Sequence, residues 1–155
     1  MKHGNVIEGL FTYRLHILKK QTDRAINEAF SNELGLSLSE ARVLLGAGSF
    51  GPQSVSDLGR VSNLDRSQAS RATDVLLRKG LIAKASHATD GRGVVVTLTP
   101  LGRSTFRRAA AIAKRCNETI LATLAPAEQR TLSALLGKLI DGTGWGAAEA
   151  ADSNG

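Results

Sequence analysis

Apolar residues recur at steps of three and four over residues 6 to 31, at Ile7, Leu10, Phe11, Leu15, Leu18, Ile26, Ala29 and Phe30. That spacing predicts a long amphipathic helix, with neither glycine nor proline to interrupt it after Gly9. Gly35 followed by Ser37-Leu38-Ser39-Glu40 predicts a stop and a restart, because Ser37 and Glu40 are spaced as a capping box. The second helix is expected to run to about Ala47, where Gly46, Gly48, Gly51 and Pro52 break it. A short helix follows over residues 54 to 61, capped by Ser54 or Ser56, with Val55, Leu58 and Val61 turned inward. The next begins at Asp65, and Gln68 three residues on completes a second capping box. Its inner positions are Ala69, Ala72 and Leu76, and Gly80 closes it.

The pattern then changes period. Ile82, Lys84 and Ser86 alternate with Ala83 and Ala85, and Val94 to Leu98 is rich in β-branched residues, so both stretches predict strands. The polar, glycine-bearing segment between them suits a hairpin tip. Thr99-Pro100 reads as a cap and first helical residue. Phe106, Ala109, Ala113, Cys116, Ile120 and Leu124 carry a long amphipathic helix onward. Pro126 starts another, with Leu132, Leu135, Leu136, Leu139 and Ile140 along one side. After Gly142 the residues become small, and a frayed tail is expected.

Two short helices joined by a turn of about four residues, the second polar at its front and followed by a hairpin, make a winged helix-turn-helix unit. The expected fold is mainly α with a small β-hairpin wing, the lobe being flanked by long terminal helices. Their apolar stripes are too long for the small middle domain to cover, and a two-fold partner covers them most economically. The boundaries that follow are 1–34 for an N-terminal dimerisation helix, 35–101 for the lobe, 102–142 for C-terminal dimerisation helices and 143–155 for the tail. A helix start fits the major groove and a thin basic tip fits the minor groove, so residues 64–99 combine two devices for reading duplex DNA.

Composition narrows the classes. The chain has 155 residues, 42% of them hydrophobic, and a net charge of +6, which favours a polyanionic partner. Aromatics make up only 4%, too few for the stacking platforms that hold single-stranded nucleic acid. Cys116 is the single cysteine, so neither an intramolecular disulfide nor a cysteine-cluster metal site is available. No signal-peptide pattern and no apolar run of about 20 residues is present, so a cytoplasmic protein without membrane contact is expected. There is no phosphate-binding glycine loop, nucleophile elbow or metal-ligand pair at helical spacing. Neither catalysis nor a cofactor is expected.

Asp90-x-Arg92 with Val96-x-Leu98-Thr99-x-x-Gly102, Ser67-Gln68-Ala69-Ser70-Arg71 with Lys79-Gly80-Leu81-Ile82, and Leu38-Ser39-x-x-Arg42-Val43-Leu44 occur in order and at set spacings. In these motifs the chain resembles the MarR family of bacterial transcriptional regulators over roughly residues 6 to 141. The resemblance implies a dimer joined by its terminal helices, binding of duplex DNA at a near-palindrome, and repression relieved by a small ligand. One departure is Ala41, where many relatives carry a bulky aromatic that often borders the ligand cavity.

Ser67, Gln68, Ser70 and Arg71 occupy the first turns of the second helix of the unit. Gln68 can bond adenine edges bidentately and Arg71 can reach guanine or phosphate, while Arg66 suits phosphate. The alternative is a solvated helix start with Gln68 used up by capping. Arg92, between Gly91 and Gly93, suits insertion into a narrow minor groove, or is simply a solvated hairpin arginine. Asp90 is expected to brace the wing by accepting hydrogen bonds.

Arg14 encroaches on the inner face of the first helix, with Tyr13 and His16 nearby, and should find an anion. That anion is Glu40 or another protein carboxylate, or the carboxylate of a small organic effector, an aromatic acid being one such ligand. His16 and His87 lack a partnering motif and read as surface residues. Cys116 falls on the apolar stripe and reads as a small hydrophobe, the alternative being a redox-responsive regulator. A Cys116→Ser variant that keeps an oxidant response removes that alternative. A protein-interaction module on a winged-helix scaffold is the remaining alternative, and salt-dependent duplex binding separates it from a DNA reader.

Overall fold

In the computed structural model, residues 6–86 and 93–144 are described. They form two compact units, one up to Cys116 and one from Asn117. In chain order the elements are α1 (Val6–Gly9), α2 (Phe11–Leu34), α3 (Leu38–Phe50), α4 (Val55–Val61), α5 (Arg66–Arg78), β1 (Ile82–Ser86), β2 (Val94–Leu98), α6 (Pro100–Leu121) and α7 (Pro126–Thr143). The strands pair antiparallel, Ile82 opposite Leu98 and Ser86 opposite Val94. A further bridge joins Gln53 to Val96, which ties the α3–α4 connection to the hairpin. The mainly helical winged helix-turn-helix architecture expected from the sequence is the one observed.

The first stretch is not one helix. The backbone is extended at Leu10 (φ −75°, ψ 131°), which separates the single turn of α1 from α2. Gly9 is the physical reason: a glycine costs a helix about 1 kcal/mol relative to alanine, and one turn has little to offset that. At the other end α2 runs on to Leu34 and closes on Gly35, which sits in the left-handed region (φ 63°).

The second helix also outruns its expected end, continuing through Gly46 and Gly48 to Phe50. Packing overrides propensity here. A Cβ at Gly48 would lie 2.6 Å from Cγ of Phe106, and one at Gly46 would meet Ser62 Oγ at 3.0 Å. These glycines let α6 and α4 approach the α3 backbone closely. The stop falls instead at Gly51 (φ 76°) and Pro52.

Leu36, Ala41, Val43, Leu44, Leu58, Leu76, Ile82 and Val96 are buried in one core, joined by Phe30 from α2 and by Ala109 and Ile112 from α6. Only the C-terminal half of α2 takes part. Its N-terminal half leaves large apolar side chains in solvent, Phe11 at 56% exposure and Leu18 at 51%. In the second unit Leu132, Leu135, Leu136, Leu139 and Ile140 of α7 are likewise exposed. Gln129 Nε2 donates to the carbonyls of Leu121 and Leu124, both at 3.0 Å, and closes the end of α6. Among the described residues no helix is long and apolar enough to cross a membrane.

Candidate nucleic-acid interface

Everything about α5 divides into a buried face and a presented one. Ala69, Ala72, Thr73 and Leu76 are buried, whereas Arg66, Ser67, Gln68, Ser70 and Arg71 are exposed. Thr73 is a buried polar residue that sequence periodicity does not flag. Its hydroxyl donates to the Ala69 carbonyl at 2.7 Å, so the burial leaves the group satisfied.

The start of α5 is held by both halves of the expected capping box. Asp65 accepts from the Gln68 backbone N–H at 2.7 Å, and Gln68 Oε1 accepts from the Asp65 N–H at 3.2 Å. This second bond engages the amide oxygen only; Nε2 is a donor the cap does not use. One turn on, Arg71 Nη1 donates to Ser67 Oγ at 2.8 Å, which pre-orients the guanidinium along the exposed face. The five exposed side chains thus include two cations and several hydrogen-bond donors on one rigid helix start.

The far end of α5 is anchored by Lys79, a role its sequence context does not announce. Its ammonium donates to the Gly35 carbonyl at 2.6 Å and pairs with Glu40 at 3.2 Å. Glu40 also accepts from the Ser37 N–H at 3.2 Å, so one carboxylate caps α3 and restrains α5. Thr99 does similar double duty at the hairpin base. Its hydroxyl donates to the Gly80 carbonyl at 2.6 Å and accepts from the Gly102 N–H at 3.0 Å.

Asp90 and Arg92 lie outside the described residues, as does His87. Arg14 does not reach the interior expected for it. It is exposed on the first turn of α2, and its Nε donates to the Glu8 carbonyl at 3.0 Å. The proposed pairing with Glu40 is overturned, because that carboxylate serves Lys79 and Ser37 instead. The break at Leu10 brings the α1 carbonyl within reach of Arg14, which periodicity through residue 10 could not reveal. Tyr13 and His16 share the exposed stretch. Cys116 is half-buried and packs against the apolar core, in keeping with a small hydrophobe, while Arg115 beside it pairs with Glu33. Among the described residues no cluster of three or more His, Cys, Asp or Glu side chains could hold a metal.

A family model described as the MarR family matches residues 34–93, which spans the helix-turn-helix and the first half of the hairpin. The chain is similar to the multiple antibiotic resistance protein MarR of Salmonella typhimurium, 30% identical over 104 residues that cover 67% of each protein. It is 27% identical over 133 residues to the HTH-type transcriptional regulator BilQ of Clostridium symbiosum, covering 86% of this chain and 92% of that one. Among solved structures it is similar to a MarR-family protein of Mycobacterium tuberculosis in complex with salicylic acid. The TM-score is 0.70 at 26% identity, covering 84% of this chain and 96% of the other.

Proposed function

Because the chain belongs to the MarR family, whose members are transcription regulators and not enzymes, we propose that it is a repressor that binds a pseudo-palindromic operator as a homodimer and is released by a small organic acid. The observation that carries the DNA-reading part is α5. Its inner face is locked into the core, and its capped front end holds Arg66, Ser67, Gln68, Ser70 and Arg71 in solvent. In this reading Arg66 grips phosphate, and Gln68 and Arg71 reach base edges in the major groove. Arg92 enters the neighbouring minor groove and Asp90 braces the wing, both as the Asp90-x-Arg92 motif implies. The test is duplex binding measured across a range of salt concentrations. Arg92→Ala is expected to weaken binding and to reduce the salt slope by about one charge per protomer. Specific and random duplex bound equally well by parent and variant would remove the reading.

The homodimer is supported by the exposed leucines and aromatics of α2 and, separately, by the exposed leucines and Ile140 of α7, since apolar stripes of this length seldom face water on a monomer. Residues 6–31 and 102–141 would form the joint, and 35–101 the DNA-binding lobe. Two lobes related by a two-fold axis engage half-sites about one helical turn apart, ~10 bp centre to centre. Sedimentation at micromolar concentration is expected to give twice the protomer mass, and a stable monomer would contradict the joint.

Release by an acid is supported by the salicylic-acid complex of the Mycobacterium tuberculosis protein. The physical requirement is linkage: a ligand favouring a lobe spacing unsuited to DNA lowers DNA affinity by the factor that DNA lowers its own, ~1–3 kcal/mol for a roughly 5- to 150-fold effect. The exposed Arg14, with Tyr13 and His16 within a turn, is one surface to which such a carboxylate could be drawn.

A further inference from the structure

We propose that Lys79 is a positioning residue for duplex reading: by gripping the end of α2 and the start of α3 it sets the inclination of α5, without itself touching DNA. The inference rests on the reading of α5 as the helix that meets the duplex. Lys79 caps α5 at the end opposite Arg66, and its ammonium donates to two acceptors from different elements. One is the Gly35 carbonyl at 2.6 Å and the other Glu40 Oε2 at 3.2 Å.

The other restraints on α5 leave its inclination open. The capping box of Asp65 and Gln68 belongs to the helix start and travels with it. Arg71 bonds Ser67 and Thr73 bonds Ala69, again within the helix. Apart from Leu76 the buried face is small, made of Ala69, Ala72 and Thr73, and hydrophobic contact is non-directional. Gly59 lets Ala69 sit close against α4, which fixes where the front of α5 lies but not how the helix is inclined. Among the described residues, only Lys79 sends a side-chain hydrogen bond from positions 66–79 to another element. The leverage is large. In a helix about 20 Å long, a change of about 5° displaces one end by roughly 1.7 Å relative to the other, well beyond the ~0.5 Å within which binding groups must be held.

What Lys79 grips is itself fixed. Arg42 of α3 pairs with Asp23 of α2 at 3.1 Å, and Asn27 Oδ1 accepts from the Leu38 N–H at 2.9 Å. Phe30 is buried in the core, and Arg108 of α6 donates to the Glu33 carbonyl at 3.0 Å. The Gly35 N–H donates to the Ser31 carbonyl at 3.0 Å, so the carbonyl that meets Lys79 ends an ordered helix and carries its partial negative charge. The Glu40 side chain is only 15% exposed, which limits the screening of the pair by salt. Attraction to phosphate tolerates a misaligned helix, whereas hydrogen bonds to base edges do not. Loss of the grip therefore falls on discrimination between sequences and spares general affinity.

The test compares two duplexes of equal length: one that the parent selects from a random-sequence pool, and a random one. Lys79→Met keeps the aliphatic stem and removes the donor. It should bind the selected duplex at least about tenfold more weakly while random duplex changes less than about twofold, with the parent's salt slope. Lys79→Arg should recover most of the loss. In the free Lys79→Met protein the backbone amide resonances of Arg66 to Arg71 should shift, although they lie roughly two to four helical turns from the substitution. Parental discrimination by Lys79→Met overturns the proposal, as do resonance shifts confined to the neighbours of Lys79 or a loss that Lys79→Arg leaves unrepaired. An equal loss on both duplexes with a shallower salt slope also overturns it, because Lys79 is then a phosphate contact. Should Lys79→Met fail to fold, Glu40→Gln decides, since it keeps an oxygen for the Ser37 N–H and removes only the charge that meets Lys79. It should lose about threefold in discrimination, and parental discrimination there overturns the proposal. A parent that selects no duplex at all removes the repressor reading, whereas a selective parent with an equally selective Lys79→Met removes only the role of Lys79.

Discussion

Gly102→Ala should lower the thermal midpoint by roughly 6–12 °C, the equivalent of about 3 kcal/mol in a chain of this size. Gly102 is buried at the start of α6, and a Cβ there would lie 2.8 Å from the carbonyl carbon of Leu81 and still closer to its oxygen. Neither partner can rotate away, because both are backbone. The Leu81 carbonyl also accepts from the Thr99 N–H at 3.1 Å, and the Gly102 N–H donates to Thr99 Oγ1. One methyl group would therefore push apart the exit of α5, the hairpin base and α6 together. Gly142→Ala is the control, since a Cβ there meets nothing within 4 Å; it should be neutral or slightly stabilising. Equal midpoints for Gly102→Ala and the parent in a calorimetric melt would show that the junction yields more easily than its geometry says.

At the recognition surface, Arg66→Ala combined with Arg71→Ala should reduce duplex affinity at least about a hundredfold in the dimer. Two contacts per protomer are lost, each worth roughly 1–3 kcal/mol when it bonds a base edge bidentately and less at phosphate. Both residues are exposed, and neither contributes to the core, so the melting midpoint should stay near that of the parent. Gln68 offers a sharper separation of roles. Gln68→Glu keeps an acceptor for the Asp65 N–H, and a carboxylate is favourable at a helix start, so the cap survives. It removes the Nε2 donor and sets a negative charge against DNA. A variant that melts like the parent but binds duplex poorly assigns Gln68 to reading. Unchanged duplex binding would leave it as a capping residue.

The local features of this fold were legible because each depends on neighbours in sequence. Ser37 with Glu40 and Asp65 with Gln68 formed the boxes their spacing predicts, and Gly35 stopped α2 in the left-handed region. Val94 to Leu98 formed a strand against Ile82 to Ser86 for the same reason, β-branched residues on one side of a polar turn. The site inherited that legibility. A helix start that is capped and polar announces its exposed face once Ala69, Ala72 and Leu76 mark the buried one.

What went astray depended on groups far apart in the chain. Gly46 and Gly48 read as breakers, yet they carry α3 onward because Ser62 and Phe106 occupy the space their missing side chains leave. Arg14 and Glu40 look complementary on paper, but Lys79, thirty-nine residues beyond Glu40, reaches that carboxylate. Arg103 and Arg107 carry no signal in the sequence, and only the folded chain sets them beside the end of α3 and strand β2. Side-chain-capped helix starts, strand periodicity and the presented face of α5 follow from backbone hydrogen bonds and solvation over a few residues, and the amino-acid sequence determines them alone. Close approaches, the choice of ion-pair partner and the shape of a cleft depend on which distant surfaces exclude water together, and only the tertiary structure decides those.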